Sequence, residues 1–351
     1  MHSVFCKNVD IAQNRIPYII AEIGVNHEGS LLKAKKLIDL AASSGAHAAK
    51  FQTYKADSFA SIHSPPYWDT KKEKSKSQHA LFKKYDSFNQ QDYKELYTHC
   101  KLKKIDFLST PFDTDSLEFL NPILKFYKIA SADINNLPLL KAIASKKKPV
   151  VLSTGAATIK EIKYAVNFLS KNGCPDVSLL HCILNYPTKY ENANLDMIKS
   201  LIKFFPKNTI GYSDHTLPDE QMLTLLTSFL KGARIIEKHF TYNKKLPGND
   251  HYHAMDSKDL KIFIKNLYKL KSISGKKDKK PLLSEKPAII NARRSIVLNN
   301  DVTKGSKINE KDLITKRPGT GIPPEEWNNI IGKKVNKNLK KDHILSYKDI
   351  K

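Results

Sequence analysis

Through the first three quarters of the chain, short apolar runs alternate with longer stretches in which apolar positions recur every three to four residues. That is the pattern of a parallel sheet whose buried strands are joined by amphipathic helices. Eight apolar runs stand at 17–24, 46–53, 105–110, 126–131, 149–154, 177–182, 209–213 and 233–239. Helical periodicity follows each, clearest at 31–44, 159–169, 219–230 and 257–270, with Ser, Asp or Thr near several starts as capping residues. Eight strand–helix units in about 270 residues have the size of a TIM (β/α)8 barrel. The longest break, 54–89, carries Pro65, Pro66 and Trp68 beside a basic, serine-containing run. An insertion of this length in a compact domain is expected to be functional, here a lid over the barrel mouth.

Beyond residue 270 the texture changes. The reading divides the chain into a barrel (1–270), a polar, lysine-rich linker (271–285) and a small mixed domain (286–351) of short strands and turns.

A barrel of this kind places its chemistry at the carboxyl ends of its strands. The residues there are Glu22, Lys50 with Gln52, Thr110, Lys128 with Ser131, Ser153, His181, Ser213 with His215, and Glu237 with His239. One polar strand end means little, since strands end in water, but eight together predict an active face. Lys50 and Lys128, with the hydroxyls of Thr110, Ser131, Ser153 and Ser213, would form a floor for a phosphate or carboxylate. Taken singly, either lysine reads as a structural ion pair. His215 and His239 end adjacent strands, so one divalent cation could bridge them and keep positions open for water and substrate. Glu22 and Asp133 are the candidate acid–base carboxylates.

Composition narrows the function classes. The net charge of +24 invites nucleic acid, but lysine is spread over the chain and arginine occurs only at Arg15, Arg234, Arg293, Arg294 and Arg317. A clustered, arginine-rich face is therefore absent and nucleic-acid binding is not expected. The lysine runs at 71–76 and 276–280 read as solvated surface. Four cysteines, Cys6, Cys100, Cys174 and Cys182, fit neither a redox pair nor a zinc knuckle, and read as packing residues of a cytoplasmic protein. No run approaches the length of a membrane span.

The motifs AEIGVNHEGS (21–30), KFQT (50–53), STPFD (109–113), KIASADINNLPLL (128–140), LSTGAA (152–157), LLHC (179–182), GYSDHT (211–216), EKHF (237–240) and PGND (247–250) together resemble the sialic acid synthase family. RRSIV (293–297) and TKRPGTGI (315–322) resemble its C-terminal antifreeze-like, or SAF, cap. The resemblance implies a phosphoenolpyruvate-dependent, carbon–carbon bond-forming transferase. C3 of phosphoenolpyruvate joins the aldehyde of an N-acylated aminosugar, water adds at C2, and phosphate leaves by C–O cleavage. It implies manganese, with magnesium or cobalt as alternatives, on His215 and His239, and phosphoenolpyruvate on Lys50, Thr110, Lys128, Ser131, Ser153 and Ser213. It also implies the sugar near Glu22, Gln52, Tyr186 and Asp250, with Arg317 supplied by the cap of a partner in a domain-swapped homodimer.

Two positions depart from the family pattern. Leu184 stands where bacterial neuraminic acid synthases have a sugar-contacting asparagine, leaving Asn185, one residue later, as the candidate contact. Asp133 stands where those enzymes often have glutamate. N-acetylmannosamine is the first acceptor expected, ahead of its 6-phosphate and the diacetamido sugars of legionaminic and pseudaminic acids. Synthases of seven- and eight-carbon sugar acids would share the barrel, but the cap and PGND favour the nine-carbon products. An ice-binding or nucleic-acid-binding role would need no converging histidines and lysines.

Overall fold

The computed structural model describes residues 16–351 apart from positions 69, 249 and 277; Cys6 and Arg15 lie outside the described residues. The chain forms two compact units, one ending at Ser274 and the other beginning at Gly275.

In the first unit, β1 (Tyr18–Gly24), β2 (Ala48–Thr53), β3 (Asp106–Pro111), β4 (Tyr127–Ile129), β5 (Val150–Ser153), β6 (Val177–Cys182), β7 (Ile210–Asp214) and β8 (Ile235–His239) form one parallel sheet. The hydrogen-bonded order is β3-β2-β1-β8-β7-β6-β5-β4, so β1 closes on β8 and the ends of the ladder, β3 and β4, lie side by side. This is the nearly closed barrel expected from the eight apolar runs.

The connecting helices are α1 (Leu31–Ser43), α2 (Ala56–Phe59), α3 (Gln78–Tyr85), α4 (Gln90–Leu102), α5 (Thr114–Leu120), α6 (Leu137–Ser145), α7 (Ile159–Lys171), α8 (Met197–Phe204), α9 (Leu223–Leu230) and α10 (Ser257–Ser274). Their starts follow local chemistry: Ser30 accepts from the Lys33 amide at α1, and Thr158 and Glu161 form a reciprocal capping box at α7. Two edges differ from expectation. Asp219 precedes α9 by four residues and caps it through the Leu223 amide at 2.8 Å, while Met222 turns left-handed between them. β4 stops at Ile129 because Ser131–Asp133 turns into a 3-10 helix.

Two apolar layers result from the alternation along the strands. Outward residues such as Ile19, Ala21 and Ile23 of β1 pack with helix residues including Leu37 and Ile38. Inward residues Ile20, Ala48, Leu108, Phe126, Val151, Leu180 and Ile235 fill the barrel interior. At the corresponding place on β7 stands Gly211, where a Cβ would lie 2.4 Å from the Ile235 carbonyl oxygen and 2.4 Å from Leu180 Cδ2.

The insertion after β2 folds. Tyr54, Phe59, Phe82 and Phe112 form an aromatic cluster, with the Phe59 ring centre 4.5 Å from those of both Phe82 and Phe112. Trp68 donates to the Glu73 carbonyl oxygen at 3.0 Å, and the buried Glu73 carboxylate pairs with Lys84. Lysines 71, 72, 74 and 76 are exposed.

The second unit contains α11 (Lys286–Asn291), the antiparallel pair β9 (Ser295–Leu298) and β10 (Leu313–Lys316), and α12 (Trp327–Ile330), built on its own core of Ile296, Leu298, Ile308, Ile322 and Leu345. Arg317 is exposed, directly after β10. Among the described residues no helix is long and apolar enough to cross a membrane.

Candidate active site

Two residues past each interior residue, the strand still points inward but has reached the mouth. That offset carries Ile20 to Glu22, Ala48 to Lys50, Leu108 to Thr110, Phe126 to Lys128, Val151 to Ser153, Leu180 to Cys182, Gly211 to Ser213 and Ile235 to Glu237. All eight of these mouth residues line a single cavity of about 440 Å3. The rule corrects one sequence assignment: His181 has the opposite parity on β6, stacks on Tyr212 at 5.5 Å and bonds the Ala193 carbonyl oxygen at 2.8 Å. Cys182 takes its place, so this cysteine is not a mere packing residue; burial pushes its thiol pKa up to about 11. Cys100 and Cys174 are buried and unbridged.

The floor is a buried set of two ammoniums and two carboxylates. Lys50 pairs with Glu22, donates to Thr110 Oγ1 at 3.2 Å and lies 3.8 Å from Glu237. Lys128 donates to Ser153 Oγ at 2.7 Å and lies 3.7 Å from the other oxygen of Glu237, which also accepts from Ser213 at 3.0 Å. Buried charges persist only when paired, and Glu237 is the partner the two lysines share. Burial pushes Glu22 up to about 7, against the pull of Lys50. Glu237 also pays desolvation, but Lys128 and Lys50 hold it below the usual carboxylate range. Glu237 is thus held as the anion, while the Glu22 carboxyl stands near its midpoint at neutral pH. Burial lowers the Lys128 pKa, whereas for Lys50 the two carboxylates outweigh burial and raise it.

Local geometry aims Glu22. Between Glu22 and Gly24 the β1–β2 register slips, and Gly24 adopts φ +55°, where a side chain would be strained and would also approach Glu22 and Gln52. Gln52 donates to Glu22 at 3.1 Å. Ser131 lines the cavity and accepts from the Gly155 amide at 2.9 Å.

Histidines form the second half of the site. His215 follows Asp214, which is anchored by Lys238 at 2.5 Å, Tyr212 at 2.8 Å and the Thr216 amide at 3.0 Å. Its Nδ1 bonds the Ile183 carbonyl oxygen at 2.8 Å, its ring lies 5.4 Å from that of His239, and Tyr186 packs on it at 4.2 Å. Burial lowers the pKa of His215 to about 4 and that of His239 well below its usual value, so both are neutral near pH 7. Asp250 lies 3.4 Å from His239 Nδ1 and 3.7 Å from His253 Nε2. Neutral imidazoles and a carboxylate are the protonation states that bind metal, and His239, Asp250 and His253 bring ligand atoms within 4.8 Å of one another.

Of the residues selected from sequence, Glu22, Lys50, Gln52, Thr110, Lys128, Ser131, Ser153, Tyr186, Ser213, His215, His239 and Asp250 meet in this cavity. Three within the barrel do not: His181, as described above, Asp133 and Asn185. Asp133 lies outside the lining, in the turn after β4; its Oδ1 accepts from Asn136 at 3.1 Å, and burial raises its pKa. Asn185 is exposed, its carbonyl held by Thr188, and Leu184 lines the cavity instead. Sequence reasoning left Glu237 and His253 without roles. Glu237 was named only as a strand-end residue, and strand parity would have set it on the floor between the lysines; the Asp-x-x-His spacing after β8 would have pointed to His253. The insertion after β2 supplies Phe59, Tyr67, Trp68, Leu81, Phe82 and Tyr85 to the outer wall.

Residues 37–279 match the NeuB family and residues 293–351 the SAF domain. The chain is 40% identical over 332 residues to the N,N'-diacetyllegionaminic acid synthase of Campylobacter jejuni, covering 93% of this chain and 98% of that protein. It is 38% identical over 340 residues to the synthase of the same name from Legionella pneumophila, covering 95% and 94%. Among solved structures, the N-acetylneuraminic acid (sialic acid) synthetase from Leptospira borgpetersenii, in complex with citrate, superposes with a TM-score of 0.67 at 34% identity, covering 79% of this chain and 91% of that one.

Proposed function

The chain belongs to the NeuB family, sialic-acid-synthase-type enzymes of nonulosonic acid biosynthesis, and from that premise we propose that it condenses phosphoenolpyruvate with an N-acylated aminosugar, releasing phosphate. The observation that carries the reading is the meeting of the Lys50–Lys128–Glu237 floor and the His215–His239 pair in one cavity. In this reading Lys50 and Lys128, with Thr110, Ser131, Ser153 and Ser213, receive the phosphate and carboxylate of phosphoenolpyruvate. Glu22 holds or releases the proton that the condensation moves, and Gln52 keeps it oriented. His215 and His239 would hold a divalent ion, manganese first, whose chemistry there would be to polarise the sugar aldehyde. Asp250 and Tyr186 border the sugar.

For the acceptor, we place a diacetamido, deoxygenated sugar ahead of N-acetylmannosamine and its 6-phosphate. The outer wall of Phe59, Leu81, Phe82, Leu184 and Trp68 suits acyl and methyl groups better than a second phosphate, and the two relatives above are named for a diacetylated product. In the proposed assembly, a homodimer, the cap of one subunit brings Arg317 to its partner's sugar site. The deciding assay measures phosphate release from phosphoenolpyruvate with each acceptor in turn. Turnover is expected to be highest with the 2,4-diacetamido-trideoxy hexose. Equal inactivity with every N-acylated aldose would refute the proposed function, and a clear preference for N-acetylmannosamine would refute the acceptor assignment.

A further inference from the structure

Strand parity turns Asp214 and Lys238 away from the cavity, and both are fully buried. They face each other across the β7–β8 ladder. Lys238 Nζ donates to Asp214 Oδ2 at 2.5 Å and to the Thr216 carbonyl oxygen at 2.7 Å. Asp214 Oδ1 accepts from the Tyr212 hydroxyl at 2.8 Å and the Thr216 amide at 3.0 Å, and its Oδ2 accepts from the Thr216 hydroxyl at 3.1 Å. The residue enclosed by these bonds is His215. On the other strand, His239 follows Lys238 directly. A buried ion pair adds little stability over apolar residues of the same volume, because desolvating two charges offsets their attraction. What such a pair can supply is a unique arrangement, since only one geometry satisfies both charges and all their hydrogen bonds.

We propose that Asp214 and Lys238 are a positioning pair: by locking the turn 214–216 to β8 from the helix side of the sheet, they set the spacing of the His215 and His239 rings at the mouth, 5.4 Å between centres. The inference rests on the metal-dependent reading of those histidines and concerns two residues that touch neither substrate nor ion. The β7–β8 ladder ends at Asp214 and Lys238, so their side chains carry its alignment one residue further, to the histidines. Neighbouring strand residues point to opposite faces, so a shift of either charged residue moves the histidine beside it. The remaining ties on the His215 ring, the Ile183 carbonyl oxygen at Nδ1 and the Tyr186 ring, come from the loop after β6. They orient the ring against that loop and leave its distance from β8 to the ladder and the buried pair.

The test uses the full-length protein and a double variant, Asp214→Asn with Lys238→Met, which removes both charges while keeping the volume and the acceptor for Tyr212 and Thr216. Its denaturant midpoint is expected to stay close to wild type, as for other buried pairs replaced together. Two readouts then separate positioning from packing. Calorimetric titration of the metal-stripped protein with Co2+ should show binding weakened about 10–100-fold, the usual loss when groups supporting a ligand are removed. Deuterium exchange at the imidazole C2 positions of His215 and His239, followed by mass spectrometry without metal, should have shorter half-lives than in wild type. Should the double variant not fold, Asp214→Asn alone, which is isosteric and leaves Lys238 its Thr216 acceptor, carries the same measurements. Wild-type Co2+ affinity and unchanged exchange in a folded variant would overturn the proposal and leave the pair as barrel packing. If the wild-type protein bound no Co2+, the metal part of the proposed function would fail. The exchange half-lives would then decide the role of the pair, shortened ones supporting it and unchanged ones overturning it.

Discussion

Lys128 and Lys50 are buried alike but differ in their partners, and that difference separates their expected roles. Lys128 faces Ser153 and the distant edge of Glu237, whereas Lys50 is paired directly with Glu22. Lys128→Ala is therefore expected to lose about 2–5 kcal/mol in kcat/KM for phosphoenolpyruvate, the usual loss when one partner of a desolvated charged contact is removed. Unchanged kinetics in the folded variant would place the anion elsewhere.

Glu22 makes the same floor sensitive to pH. Below about pH 7 its carboxyl is protonated, so the two lysines face one carboxylate, Glu237; above it they face two. Anion binding should weaken as pH rises from 6 to 8, by at most about tenfold per unit for a single proton. The second ionisation of the phosphate acts oppositely, so the comparison with Glu22→Gln is decisive: the difference in pH slope between the two proteins is the Glu22 contribution. Identical slopes would contradict it. Stability has the same sign, because a carboxyl with a raised folded pKa costs the native state increasingly as pH climbs through about 7.

At the scale of elements, β7 and the lid make different demands. Gly211 leaves the space that Leu180 and the β8 backbone occupy, so Gly211→Ala should destabilise the barrel by about 1–3 kcal/mol or more, read as a lower denaturant midpoint. A wild-type midpoint would show that the strand can shift without penalty. The insertion after β2, the proposed lid, packs through rings, Phe82 lying 4.5 Å from Phe59 and 5.3 Å from Tyr54. Phe82→Ala should speed hydrogen exchange in α2 and α3 and raise KM for the sugar more than for phosphoenolpyruvate, whose proposed site lies on the strand floor. Equal effects on both substrates would argue that the lid acts on the whole site rather than on its outer wall.

For the whole molecule, the proposed exchange of caps can be tested by complementation. Arg317→Ala chains have an intact barrel, and Lys50→Ala chains an intact cap. If caps are exchanged, a mixed dimer combines both defects in one site and neither in the other, so random remixing of two inactive parents should restore about one quarter of wild-type sites. No recovery in demonstrated mixed dimers would reject the shared site and leave the barrel chemistry as it stands.

Local pattern was enough for the eight strands, because alternation and run length are properties of neighbouring residues, and strands such as β6 fall where the apolar runs place them. It was also enough for the strand-end residues whose type is rare at such places, Lys50 and Lys128 above all. Parity alone could have replaced His181 by Cys182 and placed Glu237 on the floor beside the lysines, since which face a strand residue takes follows from its offset to an interior neighbour. Tertiary structure decided the rest. Asp133 and Asn185 are polar residues in the right loops, yet the turn after β4 and the Thr188 bond hold them off the cavity. The meeting of His253 with His239 and Asp250 depends on how the loop after β8 doubles back against β1. Hydrogen bonds from Asn26, 224 positions away from Asp250, enforce that path, and no local pattern encodes a contact made across such a distance.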